Sequence, residues 1–500
     1  MQLGRGSVTR HYWFAEGGRR SAAIVRIAIA TSVLMVLARL RTLSTVEIPG
    51  PASLYHPVGV WLAFGDRVPP PDVVAALWLV AWASTLAMLV GLCSRIAAAA
   101  SVGSALALVS LSYASQPTWS HPYNVVFLAQ LAFLGARGGD TLSIDAWLRR
   151  CRGVPPVDVA RGYQWSLRLV QLAVAMMFAS AAFDKLAAGH FTLRWALSDN
   201  LRHQLLVRFD LCGVPRTAVA SWLVDDVWRY RIAALANLVS QAAPIFACVF
   251  VERPRVRAAC GAAFVVETIA LGLVVGLWNL HWLPLAAVFV DWDRGRSALR
   301  APCQRPRLAV RAFITAFVTL DLATSLVPRL DTELGLYPFS SFPMFSSIRA
   351  AEPYGEHLPY AAPGVRYEVI ADRPLDARQQ RWFDYQHRTM YTVRDPDDLH
   401  ARMLALMRAA SARYPESGIH EIRAELVIFE TPAYPASARF APHAIATIAE
   451  IGDDGAFATR LGQPATRVDT YFRDDRASPV GPDDDPCYVV VDGWLAQTRR

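Results

Sequence analysis

Apolar residues along this chain come in long blocks rather than at alternate positions. Runs rich in Ala, Leu and Val cover about 22–43, 73–93, 96–114, 121–136, 165–187, 232–251, 257–276, 277–292 and 310–327, with arginine-bearing polar stretches between them. A block of roughly 17–25 apolar residues is what an α-helix needs to cross the hydrocarbon core of a bilayer. The fourth and eighth blocks are short and suit tilted or re-entrant segments, so the pattern predicts eight or nine transmembrane helices. Beyond residue 330 the pattern changes. YEVIA, EIRAELVIFET, AIATIAEI and CYVVVDGW read as strands, whereas DARQQRWFDYQHRTM and PDDLHARMLALMRAASARY repeat at helical spacing. The expected fold is a polytopic α-helical membrane protein with 8–9 transmembrane helices and a small carboxy-terminal α+β domain outside the membrane. Its parts are a basic tail at 1–20, a transmembrane domain at 21–300, a final transmembrane helix at 301–330, an interfacial linker rich in aromatics and Pro at 331–349, and the α+β domain at 350–500.

Composition agrees with the blocks. Hydrophobic residues make up 54% of the chain and mean hydropathy is positive, a combination that favours a membrane class. The formal charge of +8 is divided unevenly: residues 1–330 carry 32 basic and 17 acidic side chains, and residues 331–500 carry 18 and 25. The arginines of the first part are scattered between apolar runs rather than interleaved with aromatics on one face, so no nucleic-acid partner is expected. The lipid bilayer is the expected partner.

Arginine placement orients the spans. With the amino terminus in the cytoplasm, the inner loops hold Arg5, Arg10, Arg19 and Arg20, then Arg95, then Arg137, Arg149, Arg150, Arg152 and Arg161, then the turn ERPRVR and the segment 291–311. The outer loops at 44–72 and 114–120 hold only Arg67. This is the positive-inside pattern. The outer loop at 188–231 departs from it with six arginines; within it TAVASWLVDDVWRYR reads as an amphipathic segment lying on the outer surface. An odd number of spans puts the carboxy-terminal domain outside the cytoplasm. The first 20 residues show no short apolar core ending in a cleavage site, so no cleaved signal peptide is expected.

Against this background one residue stands out. Lys185 is the only lysine, beside 49 arginines, and it closes the fifth apolar block in FASAAFDKLAAG. An ammonium can give up its proton and act as a base, whereas a guanidinium stays charged. The structural alternative is a snorkelling anchor, a task arginine performs equally well. His121, in TWSHPYNVVFLAQL, opens the fourth block at the same outer depth, and an amine with an imidazole could together handle a proton. Glu267, Arg26, Arg39 and Asp321 lie inside apolar blocks, where charges face a bundle interior and pair; Glu267 with Arg26 is one candidate pair. In RGGDTLSIDAWLRR, holding Asp140 and Asp145, Ser143 can cap an amphipathic helix whose Trp147 and Leu148 face the bilayer. The seven cysteines (Cys93, Cys151, Cys212, Cys248, Cys260, Cys303 and Cys487) show no CxxC or Cys/His spacing, and their odd number argues against a full disulfide framework. The carboxy-terminal histidines, His357, His387, His400, His420 and His443, also lack metal-ligand spacing, so no metal site is expected. No P-loop, dinucleotide fingerprint, nucleophile elbow or HExxH occurs.

FASAAFDKLAAGHFTLRWALSDN resembles the lysine-bearing helix of the vitamin K-dependent γ-carboxylase superfamily, whose bacterial members are the HTTM (horizontally transferred transmembrane) proteins. Lys185-Leu186 matches its Lys-Leu pair and Trp195 the tryptophan that follows. SHPYNVVFLAQL is similar to the family's His-x-Tyr segment, GARGGDTLSID to its Asp-x-x-Ser-x-Asp loop, VRIAIA with Arg26 to its first helix, and LVGLCSR to its Gly-x-x-x-Arg turn. The resemblance covers about residues 15–300. It implies a multi-pass protein of a bacterial inner membrane in which Lys185 is the base for a reduced quinone, vitamin K or menaquinone, and His121 assists. Phe178, Ala182 and Asp184 depart from the family pattern, and the large lumenal part that holds a carboxylase's protein substrate is not evident. Quinone-linked proton abstraction and oxygenation is therefore the expected activity, rather than carboxylation of protein glutamate. The carboxy-terminal domain could take a protein or peptide substrate or cover the membrane site. The alternative is a non-catalytic membrane scaffold or export accessory protein on the same fold, and a small-solute transporter is weaker because no broken helix pair is visible.

Overall fold

A computed structural model of the chain describes residues 12–14, 18–42, 50–114, 121–154, 163–206, 208–209, 215–293, 308–327, 336–339, 361–392, 396–430 and 443–459. In chain order the helical body runs α1 (Arg19–Thr42), α2 (Pro71–Val90), α3 (Ser94–Ser112), α4 (Asn124–Phe133), α5 (Ile144–Cys151), α6 (Gln164–Ala188), short α7 (Arg194–Leu197) and α8 (Asn200–Leu206), α9 (Ala218–Val224), α10 (Val227–Ala242), short α11 (Phe246–Val249), α12 (Pro254–Val275) and α13 (Leu308–Leu326). Among the described residues seven stretches are long and apolar enough to cross a membrane: α1, α2, α3, α6, α10 with α11, α12 and α13. The two blocks that are short in sequence are short in space. α4 has 10 residues, and the eighth block is a 3-10 helix, Leu280–Phe289, with Pro284 inside it.

Local chemistry sets the ends of these helices. Pro71 and Pro254 occupy first-turn positions, where a missing N–H costs nothing. Gly91 and Gly276 end α2 and α12 in the left-handed conformation that a side chain resists. Packing then ranks the helices. The apolar window of α6 is 78% buried, against 22% for α2, so α6 is central and α2 peripheral. Outward-facing Leu79, Ile96, Val239, Val266 and Leu308 are exposed on the apolar helices, as lipid contact requires. Small polar groups join the interior: Thr85 and Ser101 share a 2.7 Å hydrogen bond between α2 and α3, and Gln130 Nε2 of α4 donates to Ser101 Oγ at 2.7 Å.

The starts of α3 and α6 meet at one end of the bundle. Asp145 at the start of α5 accepts from the Cys93 amide at 2.8 Å, the Ser94 amide at 2.9 Å and the Ser94 hydroxyl at 2.7 Å. Its own amide donates to Gly91 O at 3.0 Å. Ser143 Oγ caps α5 by accepting from Ala146 N, and Trp147 is exposed beyond it, as the sequence predicts. Tyr163, just before α6, donates its hydroxyl to Asp140 Oδ2 at 2.6 Å, and burial together with that carboxylate pushes the phenol well above its usual range. Arg26 Nη2 of α1 donates to Leu142 O at 2.6 Å. Three separate motifs, Arg26, the Gly91 turn and the 140–145 loop, thus form one junction.

Burial works against the charge of Asp145, but the Ser94 and Cys93 donors and Arg149 outweigh it and hold its carboxyl below the usual range. A depressed folded value means a stabilising contribution that is present above the unfolded value of about 3.9 and lost as pH falls through the folded value. Asp145→Asn is accordingly expected to lower the melting temperature at neutral pH, and the gap to wild type should close only on acidification below that range. A gap independent of pH would show that the charge is not what this junction uses.

The far end of α3 carries the second body. A four-stranded antiparallel meander, β1 (Ala361–Ala371), β2 (Ile419–Glu430), β3 (His443–Gly452) and β4 (Phe457–Thr459), packs against α14 (Ala377–Gln386) and α15 (Pro396–Arg413). Trp382, Met403, Leu406, Ile422 and Ile451 form its core, and Asp376 with Gln379 makes a capping box at the start of α14. β4 was not foreseen from sequence, and CYVVVDGW lies outside the described residues. Leu54, from the segment between α1 and α2, is buried in this domain's core. Tyr385 of α14 donates its hydroxyl to Ser112 O at 2.5 Å. Both contacts seat the domain at the end of the bundle where α3 and α6 finish. Tyr337, in the described part of the linker, meets Tyr113 edge-on at that same end.

Two expectations need correction. The segment TAVASWLVDDVWRYR, expected as one amphipathic segment on the outer surface, is not one continuous element. It divides into α9 and the first turn of α10, because Asp226 accepts from the amides of Trp228 and Arg229 and starts a new helix there. The sixth span therefore begins at Val227, five residues earlier than expected. Three of the six arginines of 188–231 are also not loop charges: Arg202 Nε donates to Val224 O at 3.1 Å, Arg208 Nε to Val275 O at 2.6 Å, and Arg231 pairs with Asp199 at 3.2 Å. The charges of these three are held by protein groups.

Candidate functional site

Phe178, Ala182 and Lys185 lie at i, i+4 and i+7 on α6 and so share one face. All three are buried, and Lys185 is only 1% exposed. Its Nζ donates to Gln241 Oε1 of α10 at 3.0 Å. Gln241 Nε2 in turn donates to Glu267 Oε1 of α12 at 3.0 Å. The same carboxylate accepts from Asn237 Nδ2 at 2.5 Å and from the Ser240 hydroxyl. Asn237, Ser240 and Gln241 occupy i, i+3 and i+4 of α10, so one helix face presents three donors to one carboxylate. Lys185 and Glu267 are thereby opposite ends of a buried chain that spans three helices.

The end of α6 supplies the roof. The Gly189 amide donates to Lys185 O at 3.2 Å, and the next two residues, His190 and Phe191, take left-handed conformations at φ 53° and 58°. Such positions cost non-glycine residues free energy and persist where the surroundings demand them. Here they turn the chain back so that α7 crosses the end of α6. Trp195 then lies with its ring centre 5.0 Å from Lys185 Nζ, within cation–π reach. Behind α7, the buried Asp199 accepts from the Tyr230 hydroxyl and pairs with Arg231, which ties this roof to α10.

Beneath the polar layer is an aromatic one. Phe178 meets Phe264 of α12 at 5.3 Å and Trp282 edge-on at 5.7 Å. Pro122 O accepts from His281 Nε2 and Trp282 Nε1, each at 2.6 Å. The 3-10 turn His121–Tyr123 is therefore docked on the aromatic layer that Lys185's own helix face builds. The orientation of the His121 side chain lies outside the described residues. Arg39 lies over the Tyr123 ring at 5.9 Å and donates to Asn279 Oδ1 at 3.4 Å.

The structure does not form the candidate pair of Glu267 with Arg26: Arg26 belongs to the junction at the starts of α3 and α6, and Glu267 to the Lys185 layer. Asp321 is buried on α13, and its Oδ2 has no hydrogen-bond partner among the described residues. Asn237, Ser240 and Gln241 were missed in the sequence, although three amide or hydroxyl side chains at i, i+3 and i+4 inside an apolar block are the mark of a polar face turned inward. Among the described residues no three His, Cys, Asp or Glu side chains group as metal ligands, and Cys93, Cys151, Cys248 and Cys260 are free thiols. Comparison with known proteins adds no name to this geometry: no family model, no curated protein and no solved structure matches the chain.

Proposed function

We propose that this is an integral membrane enzyme akin to the vitamin K-dependent γ-carboxylase superfamily, with Lys185 as the base for a lipid-soluble reduced quinone. The observation that carries the reading is Lys185 itself: the one lysine of the chain, buried, held by Gln241, with the Glu267 carboxylate one hydrogen bond further on. An amine in that setting can take a proton, and the carboxylate stabilises the ammonium that results. Phe178, Phe264 and Trp282 pack tilted and edge-on into an apolar layer beneath the amine, which keeps water from this part of the bundle. A reduced quinone would supply the oxidisable hydroxyl, hydroquinone and oxygen giving the epoxide and water. In this reading His121 assists the proton's movement. The arginines at the starts of α3 and α6 support an amino terminus in the cytoplasm of a bacterial inner membrane, with the carboxy-terminal domain on the outer side above Lys185.

A second reading, a non-catalytic scaffold or export accessory protein, draws on the same burial, since Gln241 and Trp195 hold Lys185 as they would a structural cation. Purified wild type and Lys185→Arg, given reduced menaquinone or vitamin K with oxygen, separate the two. Epoxide formation is expected in wild type and a loss of about 10²–10⁴-fold in the variant, the usual contribution of a positioned base. No epoxide from wild type would sink the enzyme reading, and equal rates would remove Lys185 as the base.

A further inference from the structure

The break in the sixth apolar stretch makes a second feature, far along α6 from Lys185. Pro244 ends α10 in a 3-10 turn, Ala243–Ile245, before the short α11 resumes, as proline's missing N–H requires. The break leaves an open groove of about 350 Å³ between Ala243, Phe246 and Phe250 on one side and Val256, Ala259 and Cys260 on the other. That volume lies within the roughly 300–1,000 Å³ of small-molecule sites. Phe246, Val249 and Phe250 are exposed around it, so it opens toward the lipid-facing surface. Its position along the bundle is fixed by α6: Gln171 Nε2, two turns into that helix, donates to Ala247 O at 3.4 Å. The groove therefore sits near the end where α6 starts.

One end of this apolar groove is cationic. Arg253 lines it with its guanidinium 5.6 Å from the Phe250 ring centre, and Arg255 is exposed two residues further on, at the start of α12. Arg257 follows in the first turn of α12, its Nη1 donating to Val251 O at 3.3 Å and its Nε without a hydrogen-bond partner among the described residues. Glu252 on the turn and Asp291, close to Arg257, are the acidic neighbours, so three guanidiniums stand against two carboxylates. α12 starts at Pro254 with no side chain capping its first amides, which adds the positive end of a helix dipole. A phosphate at this end of the groove would meet the Arg253 guanidinium and the start of α12, with Arg255 a further positive charge two residues on, and an acyl chain attached to it would lie along Phe246 and Phe250. We propose that this groove is a binding site for an anionic phospholipid, with the phosphate at Arg253 and Arg255 and a chain between α11 and α12.

Native mass spectrometry of the full-length, delipidated protein in detergent tests this with equal amounts of dioleoyl phosphatidylglycerol and dioleoyl phosphatidylcholine. Wild type is expected to retain the anionic lipid at least about tenfold over the zwitterionic one, the scale of two surface arginines against an anionic headgroup. Arg253→Gln with Arg255→Gln should bring the ratio near parity while helix content by circular dichroism stays that of wild type. Ala259→Trp, which fills the groove, should reduce retention of both lipids. Parity in wild type, or an unchanged ratio in the double arginine variant, would overturn the site. So would displacement of the lipid by equimolar glycerol 1-phosphate, which has the phosphate and no chain.

Discussion

Glu267→Leu is expected to destabilise the helical body by about 3–5 kcal/mol, the range for removing one partner of a buried charged pair. The substitution strips the acceptor from Asn237, Ser240 and Gln241 together and leaves Lys185, 1% exposed, without its carboxylate. Each orphaned buried donor alone costs about 1–3 kcal/mol. Glu267→Gln keeps one acceptor oxygen and the side-chain volume, so it should cost less than the leucine. The pair with Lys185→Met makes the measurement specific. If the amine and the carboxylate act on each other through Gln241, the double variant Lys185→Met with Glu267→Leu should be more stable than the sum of the single losses, by about 0.5–3 kcal/mol. Thermal unfolding in detergent reads wild type and all four variants. Additive losses would show that Glu267 serves α10 alone and that the chain from Lys185 to Glu267 is not a functional unit.

The path from sequence to this chain of side chains was legible in part, and the gaps have physical causes. Lys185 could be found because counting needs no structure, and the block pattern located seven long helices and both short ones. Arg26, the Gly91 turn and the 140–145 loop were each visible as motifs, but their junction joins Arg26 to Leu142, 116 positions apart in sequence, and no local pattern encodes such a contact. Glu267 was visible as a buried charge, yet Arg26 could be named only as a candidate partner, because apolar blocks give helix faces without giving helix neighbours. The 188–231 segment was hardest. Its arginines look like solvated loop charges until Val224 O, Val275 O and Asp199 are brought to them by tertiary structure. His190 and Phe191, whose left-handed backbone turns α7 over Lys185, carry no sequence signal at all, since such conformations ordinarily select glycine or asparagine.

Gly91→Ala should cost about 3 kcal/mol, from two separable sources. Gly91 ends α2 at φ 70°, ψ 42°, a left-handed conformation that costs a residue with a Cβ roughly 1–2 kcal/mol. An added Cβ would also overlap Arg26 Nη1 and Ser143 Cβ, and forcing atoms into a packed site costs roughly 1–3 kcal/mol more. Arg26 cannot swing aside freely, because it is 1% exposed and Nη2 is fixed on Leu142 O at 2.6 Å. Ser143 is no freer, since its hydroxyl caps α5. Asparagine separates the sources, for it tolerates the left-handed region yet is larger than alanine. If the overlap with Arg26 dominates, Gly91→Asn is at least as damaging as Gly91→Ala, and both loosen the junction where α3 and α6 start. If Gly91→Asn unfolds close to wild type while Gly91→Ala does not, backbone conformation alone governs this turn. Because α6 carries Lys185 at its other end, the same variants ask whether the junction positions the amine. A loss of the Lys185–Glu267 coupling in Gly91→Ala, measured by the same double-variant comparison, would show that α6 transmits the disturbance along its length.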